Sequence, residues 1–70
     1  MNATYTATIS HTPEWWIGWV NEVPGVNAQA HTREELIDNL RECLAEMLEI
    51  YRQDAIQAAA ECGNAEEVLL

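Results

Sequence analysis

The sequence predicts an α+β fold in the order β-β-β-α-β: an antiparallel three-stranded meander, one long helix and a short C-terminal strand. Three observations carry this. Residues 1–30 hold only Glu14 and Glu22 as charges, are rich in Thr, Val, Ile and Trp, and are broken by Thr12-Pro13 and Pro24-Gly25. That is strand-and-turn composition. Thr32-Arg33-Glu34-Glu35 then has the form of a capping box, and from Leu36 onward apolar residues return every three or four positions. Seventy residues allow one domain, over residues 1–70. A core of that size supplies only about 3 to 5 kcal/mol, so self-association is expected to supplement it.

In the first strand Tyr5, Ala7 and Ile9 alternate with Thr4, Thr6 and Thr8, giving one apolar and one hydroxyl face. The second, over residues 15–20, reads Trp15, Ile17, Trp19 on one face and Trp16, Gly18, Val20 on the other. Neither face is solvent-like, so this strand is expected to be buried on both sides. One helix covers one face of a small sheet, which leaves the other as an apolar patch that marks an interface. Its occupant is either a second copy that completes the core or a different protein. Gly18 fits close approach of a helix or another chain, or a bulge.

Val23-Pro24-Gly25-Val26 has the chemistry of a type II turn, with Pro presetting φ and Gly accepting a positive φ. A third short strand over residues 26–30 follows. In the helix, Leu36, Ile37, Leu40, Leu44, Met47, Leu48, Tyr51 and Ala55 draw one apolar stripe over five turns. Acidic residues fall mainly on the opposite side, with Glu42, Glu46 and Glu49 set as like-charge neighbours. Large side chains thin out over residues 55–60, and Gly63 supplies a stop. Residues 66–70 then read as a final strand, since three apolar residues there need somewhere to go.

Three Arg, no Lys and twelve Asp or Glu give a net charge of −9, which repels phosphate backbones and favours basic partners. No direct nucleic-acid contact is expected. No apolar run approaches the roughly 20 residues of a membrane span, and Met1-Asn2-Ala3-Thr4 lacks a basic leader, so the expected compartment is the cytoplasm. On one straight helix Cys43 and Cys62 lie nearly 30 Å apart, which excludes a disulfide between them. They are expected to be buried or partly buried free thiols.

Little points to catalysis. His11 and His31 are expected in exposed loops, without ligand spacing and without a nucleophile placed beside them. There is no Gly-rich phosphate loop, nucleophile elbow or Cys-x-x-Cys, and neither a cofactor nor a metal is expected. Two-metal chemistry on a ribonuclease H type of sheet needs carboxylates converging from strands and helix, yet the first strand holds no acid.

The order of signals, Tyr5-Thr6-Ala7-Thr8-Ile9, Trp16-Ile17-Gly18-Trp19-Val20, Glu22-Val23-Pro24-Gly25-Val26 and Thr32-Arg33-Glu34-Glu35-Leu36 with Asn39-Leu40-Arg41-Glu42, resembles the HicB family of type II antitoxins. The resemblance covers roughly residues 4–50, and residues 66–70 fit the family's last strand. It implies a partial, catalytically inactive ribonuclease H-like sheet with the helix on one face. It also implies a protein that binds and blocks HicA, a small basic mRNA-cleaving toxin. Many members continue into a C-terminal DNA-binding module, for which residues 1–70 leave no room. On this reading the chain is a single-domain, non-enzymatic antitoxin acting as a homodimer or higher homo-oligomer. Trp15, Trp16 and Trp19 are the expected interface anchors, with Glu22, Pro24 and Gly25 as a shape element. The rival expectation is an orphan homo-oligomer with a structural or regulatory role and no toxin.

Overall fold

In the computed structural model, which describes residues 4–70, β1 (Ala7–His11), β2 (Trp16–Val20) and β3 (Asn27–Ala30) form one antiparallel sheet, ordered β1-β2-β3. One helix follows, α1 (Arg33–Cys62). The architecture is therefore α+β, a three-stranded meander carrying a helix. Register places Ile9 and Ala28 on either side of Gly18, and Thr8 and Asn27 on either side of Trp19. Because side chains alternate along a strand, Ile9, Trp16, Gly18, Val20, Ala28 and Ala30 share the inner face. Thr8, Ser10, Ile17, Trp19, Asn27 and Gln29 share the outer one.

The strand ends move by a residue or two from the expected bounds for local reasons. Thr6 donates its backbone N–H to the Glu22 carboxylate instead of to a ladder, and Trp15 sits in the hairpin turn, where its carbonyl accepts from the Thr12 N–H at 2.8 Å. Val26 closes the second turn with a 3.4 Å bond to the Val23 carbonyl, while Gly25 takes φ +90°, as the Pro24-Gly25 pair demands.

Leu36 and Leu40 drive into the inner face, where Val20, Val23, Val26 and Ala30 complete the buried core. Gly18 makes this approach possible. A Cβ there would stand 2.9 Å from both Ile9 Cγ2 and the Thr8 carbonyl oxygen and 3.3 Å from Leu36 Cδ2. Of the alternatives for Gly18, close approach of the helix is the one found, and the ladder through it runs without a bulge.

The helix begins where expected: Thr32 is extended and its hydroxyl accepts from the Glu35 N–H at 3.2 Å, with Glu34 and Glu35 complementing the positive end of the dipole. It runs from the hairpin end of the sheet to the Pro24-Gly25 end, where Met47 reaches 3.9 Å from the Cβ position of Gly25. α1 packs across β2 and β3 and leaves β1 overhanging. The last residue packed against the core is Leu48, so residues 49–62 project about 21 Å beyond it. The molecule accordingly measures 53 Å along its longest axis.

Three expectations need correction. β2 is not buried on both sides, because the helix covers only its inner face and Trp19 remains 46% exposed on the outer one. Residues 66–70 form no strand: the helix carries the chain far past the sheet before it turns, and Val68, Leu69 and Leu70 lie exposed. Gly63 ends the helix as expected, donating to the Ala59 and Ala60 carbonyls from an extended backbone, φ 162°. Cys62 is exposed, while Cys43 is half-buried; both are free thiols. No helix among the described residues is long and apolar enough to cross a membrane.

Candidate protein-binding surface

The six residues singled out from the sequence fall into three places. At the hairpin end, Trp16 stacks on His11 with ring centroids 4.3 Å apart and planes 13° from parallel, and Trp15 stacks on His31 at 4.4 Å and 23°. Thr12 ties this turn by accepting from the Trp15 N–H at 3.0 Å. Trp16 lies on the inner face and packs against the core. These two half-buried indoles hold the hairpin and the entry to α1 together, a use of aromatic area within the chain. The histidine partners were not legible in the sequence, because His11 meets Trp16 across the β1–β2 ladder and His31 meets Trp15 one step past the end of the β2–β3 ladder.

At the opposite end Glu22 is committed to its own chain. Its carboxylate accepts from the Thr6 N–H at 2.6 Å and from the Thr6 hydroxyl, and these bonds hold its pKa below the ordinary carboxylate value. Asn21 joins the same network, accepting from the Thr8 hydroxyl at 2.7 Å and donating to that of Thr6 at 2.9 Å. The neighbouring Pro24-Gly25 turn is exposed.

Between the two ends lies the outer sheet face. Trp19 stands there 46% exposed beside half-buried Ile17, above a shallow depression also lined by Asn27 and Gln29. Thr8, Ser10, Asn27 and Gln29 frame the pair, so this face carries no charge although the chain carries fifteen. Of the three tryptophans, Trp19 is the one exposed.

A second surface was missed. Because α1 does not cover β1, a groove of about 300 Å³ opens between them, floored by Ile9, Ile37, Leu40 and Leu44 and edged by Arg33 and Arg41. Two of the three cations of the chain are therefore on one groove. The available signal was their spacing: eight residues along a helix are two steps of four, about 80° around the axis and so within one broad face. Arg41 is only loosely paired, 3.8 Å from Asp38 with both side chains largely exposed.

The third cation, Arg52, grips Glu49 with two bonds of 3.0 and 2.7 Å and reaches Glu67 at 2.6 Å. Glu49 also accepts from Gln53, and the Arg52 fork pulls its pKa down to about 2. Among the described residues no three His, Cys, Asp or Glu side chains gather as metal ligands would. Comparison with family models, with curated proteins and with solved structures returned no match to this chain.

Proposed function

We propose that this chain is a HicB-like antitoxin, a non-enzymatic cytoplasmic protein that neutralises a small basic HicA-type mRNA-cleaving toxin, acting as a homodimer or higher homo-oligomer. The observation that carries the reading is the uncharged outer sheet face bearing Trp19 and Ile17 on a chain of net charge −9. The acidic total accelerates encounter with a basic partner. The neutral face then lets the partners close around an aromatic anchor without stranding a buried charge. On this reading the meander and helix are part of a ribonuclease H-like sheet, and residues 66–70, which form no strand in the single chain, add its remaining short strand only on assembly. A homo-oligomer without a toxin is the second reading, and the apolar β1 groove favours it.

The test is co-purification with a HicA-type toxin encoded beside this gene. A stoichiometric complex is expected, weakened as ionic strength rises. Trp19→Ala is expected to lower toxin affinity by about 2 kcal/mol, roughly 30-fold, because an exposed indole is lost without disturbing the inner face. An affinity unchanged within about threefold in the folded variant overturns the assignment of this face. Recovery of the self-associated protein alone favours the second reading.

A further inference from the structure

We infer that the groove between β1 and α1 receives residues 66–70 of a second copy of this chain, so that two copies exchange their C-terminal segments reciprocally. This shares with the proposed function only the expectation that residues 66–70 form a strand, and it requires no toxin.

The groove presents two incomplete features to one occupant. The outer edge of β1 has no strand partner among the described residues, and an unpaired edge is a template for a further strand. Beneath that edge half-buried Ile9, Ile37 and Leu44 floor the groove over buried Leu40, with Arg33 and Arg41 at its margin. Residues 66–70 read Glu-Glu-Val-Leu-Leu. Their apolar half holds the most exposed large hydrophobic residues among those described, Val68 at 67%, Leu69 at 101% and Leu70 at 109%. Two acids followed by three apolar residues match two arginines beside an apolar floor.

The segment cannot fill its own groove in the conformation observed. Gly63 turns the chain at the distal end of α1, and the Arg52–Glu67 bond of 2.6 Å shows it doubling back along the helix. Arg41 lies about 16 Å of helix rise beyond Arg52, whereas three extended residues past Glu67 add only about 10 Å. Residues 68–70 therefore stop short of the groove while Glu67 is held. A second copy has no such restriction. Exchange also answers the charge problem of pairing two chains of −9, because each contact places Glu66 and Glu67 against two of the three cations. Each groove takes the other's segment, so the contact is self-complementary and closes as a twofold dimer.

Charge exchange between two variants of the full chain tests this by sedimentation velocity. One variant carries Arg33→Glu with Arg41→Glu, the other Glu66→Arg with Glu67→Arg. The unmodified chain is expected to be dimeric. Each variant alone should dissociate about tenfold or more readily, since like charges then meet in both contacts. An equimolar mixture should recover the dimer, because both mixed contacts again pair opposite charges. A monomeric unmodified chain, variants that stay dimeric alone, or a mixture that stays monomeric would each overturn the exchange. If the groove variant loses its helical circular dichroism, Leu69→Ser with Leu70→Ser decides the matter, as these side chains pack on nothing in the single chain. A monomer then supports the exchange and an unchanged dimer rejects it.

Discussion

The two halves of α1 are continuous in backbone and unlike in what sustains them. Up to Leu48 the helix is held by its partner: Leu36 and Leu40 are buried, and Cys43, Leu44, Met47 and Leu48 pack against the same core. Beyond it, Ile50 is 52% exposed and Tyr51 47% exposed, with no sheet beneath them. An isolated helix of 14 residues is marginal in water. Here it is carried by continuity with the anchored half, by the alanines of residues 55–60 and by the Arg52 clamp on Glu49. The apolar stripe continues past Leu48 through Tyr51 and Ala55. Periodicity thus identifies residues able to face a core, and the length of the sheet decides which of them do.

The sharpest way to break this contrast is to remove one large side chain from each half. Leu36→Ala empties a fully buried position and should cost about 3 kcal/mol, most of what a core of this size supplies. Tyr51→Ala should stay within about 0.5 kcal/mol in the single folded chain. Urea unfolding of the two variants, followed by helical circular dichroism, measures the difference. Equal losses would mean that the distal half is buried in the species present in solution.

A smaller effect is expected from the close approach that anchors the proximal half. Gly18→Ala puts a methyl group 2.9 Å from backbone and side-chain atoms of β1, and the backbone oxygen of Thr8 yields only if the strands shift. The expected cost is about 1 to 3 kcal/mol. Gly63→Ala, at the other end of the helix, meets nothing within 4 Å at an extended φ and should be close to neutral. Thermal midpoints of the two alanine variants compare the sites directly. A neutral Gly18→Ala would show that helix and sheet are packed more loosely than these distances require.

Much of the fold was legible because local chemistry and long-range packing agree. The Pro24-Gly25 turn, the Thr32 cap and the alternation in the first strand each name their own conformation. Gly18 marked a close approach, and the ladder identifies Ile9 and Leu36 as what comes near it. The candidate surface was legible only in part. Trp15, Trp16 and Trp19 are close in sequence, but alternation sends Trp16 and Trp19 to opposite faces, and the hairpin turn gives Trp15 to His31. Glu22 reads as a free acid until the register brings Thr6 to it. The groove depends on α1 lying over β2 and β3 and not over β1, a lateral offset that no periodicity encodes. The fate of residues 66–70 followed from helix length, and Gly63 places that end without saying how far it stands from the sheet.

The smallest expected effect concerns the clamp that steadies the distal half. Glu49 has its pKa lowered from 4.5 to about 2, chiefly by its hydrogen bonds from Arg52 and then by that from Gln53. A depressed carboxyl contributes stability that is fully present above its unfolded value, and that contribution is lost as pH falls from about 4.5 through about 2. Both side chains are about half exposed, so solvent screens the pair and its effect is confined to local fraying. Side-chain carbon NMR should therefore place the Glu49 midpoint well below the ordinary carboxylate value of 4.5. Amide protection factors over residues 53–62, relative to the intrinsic exchange rate at each pH, should fall on acidification through that window, while those around Leu40 hold. Glu49→Gln should give the lower distal protection already at neutral pH and remove its acid dependence. A Glu49 midpoint near 4.5, with distal exchange indifferent to the substitution, would leave helix propensity and continuity with the anchored half as all that sustains these turns.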